Sequence, residues 1–190
     1  MNPLKHTFKL GFITLALSLT GLTQADDLFN NDQSNLKSGT LLKDRPAYSS
    51  VTDQRLSKPE ARNWLMYRGT YDSQGYSALD QINSKNVKQL KTSWTFSTGM
   101  REAHQAPPVV NDGYMFVTTP HNHLLALDAR NGELLWRYER ELPEDLFQMH
   151  PTNRGVALHG DYVYMATADA YLVALNARTR SEEHTSELQS

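Results

Sequence analysis

Leu125-Ala126-Leu127-Asp128-Ala129-Arg130-Asn131-Gly132 returns further along the chain as Val173-Ala174-Leu175-Asn176-Ala177-Arg178-Thr179. Each copy follows the same kind of text. Val109-Val110-Asn111-Asp112-Gly113-Tyr114-Met115-Phe116-Val117-Thr118 precedes the first, and Val156-Ala157-Leu158-His159-Gly160-Asp161-Tyr162-Val163-Tyr164-Met165-Ala166-Thr167 precedes the second. A repeat on the order of 50 residues, built from short β-prone runs divided by Gly, Asn and Asp turns, predicts an all-β fold made of propeller blades. Tyr114, Phe116 and Thr118 alternate with Met115 and Val117. Both sets are apolar, aromatic or β-branched, which suits a strand covered on both faces. Asn111-Asp112-Gly113, His159-Gly160-Asp161 and Asn131-Gly132 supply the turns. Beyond Asn131-Gly132 lies Trp136, a ring large enough to fill the wedge between neighbouring blades. Each blade therefore reads as three strands and two turns. The alternative, an ordinary sandwich with two similar hairpins, leaves the extended match between the copies unexplained.

Charges of both signs are interspersed and the formal net charge is −2. That balance suggests neither a nucleic-acid stripe nor a membrane-surface patch. Lys5 and Lys9 precede an apolar run from Leu10 to Leu22, and Thr23-Gln24-Ala25 has the small-x-small form of a signal cleavage site. The expectation is export to the periplasm with cleavage after Ala25. A transmembrane anchor is disfavoured by the shortness of the run and the lack of a stop-transfer flank. The sequence has no cysteine, hence neither a disulfide nor a lipoprotein attachment site.

Residues 26–59 are polar and broken by Arg45-Pro46; they are expected to form a poorly ordered leader, with a short helix around Lys58 to Arg62. Residues 60–179 form the propeller segment. From Arg180 the repeat is abandoned where a glycine is due after Thr179. Arg180-Ser181-Glu182-Glu183-His184-Thr185-Ser186-Glu187-Leu188-Gln189-Ser190 is the frame translation of a common short-read sequencing adapter, so residues 180–190 are expected to be a non-native tail.

Between leader and repeat stand Asn63-Trp64-Leu65-Met66-Tyr67-Arg68-Gly69-Thr70-Tyr71, then Gly75 to Asn83, Asn86 to Leu90, and Ser93-Trp94-Thr95-Phe96-Ser97-Thr98-Gly99. In this order the blocks resemble the amino-terminal region of the quinoprotein alcohol dehydrogenases, the methanol and ethanol dehydrogenase family that uses pyrroloquinoline quinone (PQQ). Ala126, Asp128, Gly132 and Trp136 are similar to that family's tryptophan-docking motif, with Asn131 at its usual Thr. The resemblance implies a partial eight-bladed β-propeller, here its N-terminal segment and about the first two blades. It implies PQQ with a Ca²⁺ or a lanthanide on the propeller axis, and an Asp base. Hydride passes from a primary alcohol to PQQ, yielding the aldehyde, and electrons leave for a c-type cytochrome. A homodimer or a complex with a small subunit is implied for the full-length form. A bound hard cation acts as a Lewis acid on the quinone carbonyl.

Asn153-Arg154-Gly155 matches a family block whose Arg reaches the quinone, so the resemblance assigns Arg154 to cofactor binding; a fork of permanently charged donors suits carboxylate and quinone oxygens. An inter-blade salt bridge is the alternative for Arg154. The family's adjacent cysteines are replaced by Gln148 and Met149, and a thioether can pack on a flat π-system or simply fill a blade. His104 falls where the family often has a cofactor-contacting Glu, and the alternative is a loop histidine without a role. These departures put the substrate class in doubt. His121-Asn122-His123 offers two imidazoles without a third ligand nearby, so a turn is expected. Asp169 reads as a turn acid. The family's metal ligands and catalytic Asp fall beyond Thr179, so the chain is expected to have no turnover by itself. Two other readings stand beside this one: a non-catalytic propeller scaffold of the outer-membrane assembly type, and a quinoprotein acting on sugars or polyols.

Overall fold

The computed structural model describes residues 45–188; the export segment and most of the leader lie outside them. Eight strands form two four-stranded antiparallel sheets, each a meander in which every strand pairs with its neighbour in sequence. The first sheet comprises β1 (Val109–Asn111), β2 (Tyr114–Thr119), β3 (His123–Asp128) and β4 (Leu134–Glu139). The second comprises β5 (Ala157–His159), β6 (Tyr162–Ala166), β7 (Tyr171–Asn176) and β8 (Glu182–Glu187). These are two propeller blades. Each has one strand more than the sequence reading allowed, because β1 and β5 are only three residues long and show no alternation to read.

The repeated text builds the same corner twice. In the first blade Ala129 N–H donates to the Gly113 carbonyl and Gly132 N–H to the Asp128 carbonyl; in the second, Ala177 N–H donates to Asp161 and Arg180 N–H to Asn176. The side chains of Asp128 and Asn176 accept from the amides of Arg130 and Arg178, each two residues on. Gly132 has φ +77°, and Arg180 occupies the same left-handed position at φ +69°. A glycine is the inexpensive residue for that conformation, which is why its absence after Thr179 stands out in the sequence.

Tryptophans join one corner to the next. Trp136 is 3% exposed, lies 5.8 Å from the Phe116 ring, and donates its indole N–H to the Ala177 carbonyl at 2.9 Å. Trp94 does the same one step earlier, donating to the Ala129 carbonyl at 3.1 Å. A β-carbon on Gly132 would stand 2.5 Å from the Trp94 ring. Gly132→Ala is therefore expected to cost about 2–4 kcal/mol, combining the left-handed strain with overpacking. The check is a fall in melting temperature together with a shift in tryptophan emission as Trp94 is displaced.

The two blades are also tied by charge. Arg140, just after β4, donates to Asp169 in the β6–β7 turn at 2.8 Å and lies over the Tyr171 ring. Asp169 thus sits in a turn, as expected, and is in addition the buried partner of an inter-blade ion pair. Burial pushes its carboxyl pKa upward, but hydrogen bonds from Arg140 and Thr167 outweigh this and hold it below the ordinary value. A depressed folded pKa contributes stability that is complete above the unfolded value of about 4 and is lost as pH falls through the folded one. Asp169→Asn is expected to cost about 2 kcal/mol at neutral pH. Denaturation curves from pH 7 down to pH 2 should show the gap from the unsubstituted protein closing only below about pH 4.

Residues 45–59 are not the poorly ordered leader that their polarity predicted. A helix, α1 (Asp53–Ser57), is capped by the Thr52 side chain and lies just before the span where a helix was expected. Val51 and Leu56 are buried in the core, and two scattered apolar residues are too few to give a periodic signal. Val51 bridges to Gly160 and Trp64 to Val110 through paired backbone hydrogen bonds. This arm thereby covers edge groups of β1 and of Gly160, just after β5, that would otherwise be open to pairing. Residues 182–187 of the expected foreign tail pair as β8. In that pairing His184 stands opposite Ala174, where Trp136 stands opposite Ala126, and it is exposed.

Candidate functional site

A cavity of about 530 Å³ opens beside the second blade. Its lining includes Asn122 from the β2–β3 turn, the 152–157 segment leading into β5, Tyr164 and Ala166 on β6, and Thr167. A volume of that size suits a small organic ligand.

Arg154 reaches this cavity on a braced loop. Asn153 is buried; its Oδ1 accepts from Gly155 N–H at 3.0 Å, while its Nδ2 donates to the Ala166 carbonyl at 2.9 Å and to Asn122 Oδ1 at 3.0 Å. Gly155 has φ +121°, a conformation open only to glycine at low cost. These two neighbours fix the backbone on both sides of Arg154, whose side chain is exposed. Thr167 uses its hydroxyl to close the β6–β7 turn against Tyr171.

Among the described residues Arg154 is the one charged side chain in this lining, which includes no carboxylate. An unopposed guanidinium with amide and hydroxyl groups beside it favours an anionic or carbonyl-rich ligand. An inter-blade salt bridge for Arg154 has no counterpart among the described ion pairs; Arg140 fills that role with Asp169.

The remaining candidates lie elsewhere. Gln148 and Met149 are outside the cavity lining, and Met149 is 78% exposed. His104 is an exposed loop residue outside the same lining, bonded to Thr98 Oγ1 and to the Glu102 carbonyl. Of the four residues assigned by resemblance, the structure brings Arg154 alone to the cavity. His121 and His123 flank a turn, as expected: His121 meets Glu102 at 3.3 Å, and burial lowers the His123 pKa against the pull of Glu139. Among the described residues no group of three His, Asp or Glu side chains could hold a metal ion. In the sequence Asn122 reads only as the middle of a turn; its tolerance of left-handed backbone is the available signal.

The family model for the glucose/ethanol/alcohol dehydrogenase β-propeller domain, designated PQQ, matches residues 64–183. The chain belongs to this PQQ dehydrogenase propeller family. A relative, quinoprotein alcohol dehydrogenase PedH of Pseudomonas putida, is 39% identical over 138 residues, covering 70% of this chain and 23% of its own length. Among solved structures, the quinohemoprotein alcohol dehydrogenase ADHIIG of Pseudomonas putida HK5 superposes with a TM-score of 0.69 at 32% identity, covering 75% of this chain and 22% of that one. A europium-containing methanol dehydrogenase gives a TM-score of 0.66 at 31% identity, covering 72% and 25%. The chain therefore spans about a quarter or less of the length of these quinoproteins.

Proposed function

We propose that this chain supplies one wall of the PQQ site of an exported dehydrogenase that oxidises primary alcohols to aldehydes. The observation that carries the reading is Arg154: among the described residues it is the one cation, held by Asn153 and Gly155, in a cavity lining that includes no carboxylate. PQQ is a flat tricarboxylate with quinone carbonyls, and the groups present fit it. Arg154 would donate to its anionic or carbonyl oxygens, and the Thr152 hydroxyl would add a further polar contact. When bound, PQQ supplies the hydride acceptor that no side chain provides.

The role of this chain is binding and orientation. Arg154 holds charge in place, and the Asn153 brace limits its backbone to one setting, so geometry is established before the alcohol arrives. The described residues offer no metal cradle, so a Ca²⁺ or lanthanide would be held by other parts of the protein. The europium in the name of one related structure supports a metal in this family's chemistry, and the word quinohemoprotein in another supports a haem as electron acceptor; in this reading that haem belongs to a c-type cytochrome. A small subunit, or a second copy, completes the full-length assembly in this reading. The cluster at Leu10 to Ala25 supports cleavage after Ala25 and a periplasmic location.

The test is reconstitution of the full-length protein with PQQ and Ca²⁺ or a lanthanide. Cofactor absorbance should persist through gel filtration, and dye reduction should depend on a primary alcohol in preference to glucose. A protein that retains no PQQ overturns the reading.

A further inference from the structure

Asn122 is built for more than a turn. It and His121 both adopt left-handed backbone, at φ +57° and +63°, a pairing that two L-residues take only where the surroundings require it. Pro120 begins this turn, and His121 N–H is held by the Pro151 carbonyl at 2.8 Å. The consequence is that Asn122, 3% exposed, is among the residues lining the cavity that Arg154 enters.

The orientation of its amide follows from its neighbours. Gly155 N–H must meet an acceptor, so the atom of Asn153 facing it is Oδ1. The Nδ2 of Asn153 then faces both the Ala166 carbonyl and Asn122. The atom of Asn122 in that contact is therefore its oxygen, because a flipped amide would set donor against donor. What remains is Asn122 Nδ2, buried and without a hydrogen-bond partner. A buried N–H left unmet is costly, and such groups are normally satisfied.

We propose that Asn122 is a second ligand-binding residue of the Arg154 cavity, donating its Nδ2–H to an oxygen of the anionic quinone while its Oδ1 steadies Asn153. The inference rests on the PQQ reading above. One amide then serves both the ligand and the loop that carries Arg154, coupling the first blade to the binding wall of the second.

The test uses the full-length protein titrated with PQQ, followed by quenching of tryptophan fluorescence, with melting temperature measured alongside. Asn122→Asp keeps an acceptor for Asn153 but turns a carboxylate oxygen toward the ligand. Asn122→Gly suits the left-handed backbone and removes both amide functions. Ligand contact predicts the larger loss for Asp, roughly a hundredfold in affinity, against roughly tenfold for Gly. A purely structural role predicts the reverse order, because only Gly deprives Asn153 of its acceptor. That reverse order, or affinities within about twofold of the unsubstituted protein, overturns the proposal and leaves the PQQ reading standing. Absence of PQQ binding by the unsubstituted protein overturns both. If Asn122→Asp fails to fold, Asn122→Gly decides by itself through the melting temperature, which loss of the Asn153 acceptor lowers and loss of a ligand contact does not: weaker binding at an unchanged melting temperature supports ligand contact, whereas unchanged binding, or weaker binding with a lowered melting temperature, overturns it.

Discussion

Trp136→Ala is expected to destabilise the fold by about 3–5 kcal/mol, the range for deleting a buried indole from a close-packed core. Two losses act together. The ring leaves a void beside Phe116, and the Ala177 carbonyl loses the indole N–H that reaches it across the blade boundary. Ala177 is fully buried, so water does not readily replace that donor. Trp136→Phe separates the two contributions: it keeps most of the apolar area and removes only the hydrogen bond, for an expected cost of about 1–2 kcal/mol. Urea denaturation of all three proteins provides the comparison. An alanine variant within about 1 kcal/mol of the parent would show that the tryptophan fills space without joining the blades.

Arg154→Ala is expected to weaken PQQ binding roughly a hundredfold without moving the melting temperature, since charge-assisted hydrogen bonds contribute about 1.5–3 kcal/mol each. The stability expectation follows from exposure: the guanidinium has no buried partner whose charge would be stranded. Arg154→Lys retains a charge but not the fork, and should recover part of the affinity, leaving a deficit of about tenfold. Fluorescence titration of the full-length protein with PQQ separates the three. An alanine variant that binds as tightly as the parent would remove Arg154 from the site.

The blade corners were legible because they recur. Asp128 and Asn176 perform the same capping, and Gly132 marks a left-handed position that Arg180 must also adopt. Trp136 was legible as a wedge from its size and place after the turn. The short strands β1 and β5 were not, since three residues carry no period. Nor was the arm from Arg45 to Trp64, whose packing depends on Val51 and Leu56 meeting strands distant in sequence. At the site, Arg154 was reached through family resemblance. Asn122 was hidden because its role depends on a neighbour from the next blade, Asn153, and no local pattern announces such a contact.

Because every strand pairs only with the one next to it in sequence, each sheet is assembled from short-range loops that close quickly. Contacts across the blade boundary are comparatively few, carried by side chains such as Trp136 and Arg140. Amide hydrogen exchange should therefore report two cooperative opening units, one per sheet. Protection should be greatest on β2, β3, β6 and β7, which have partners on both sides, and the indole bridge should set the free energy at which one unit opens without the other.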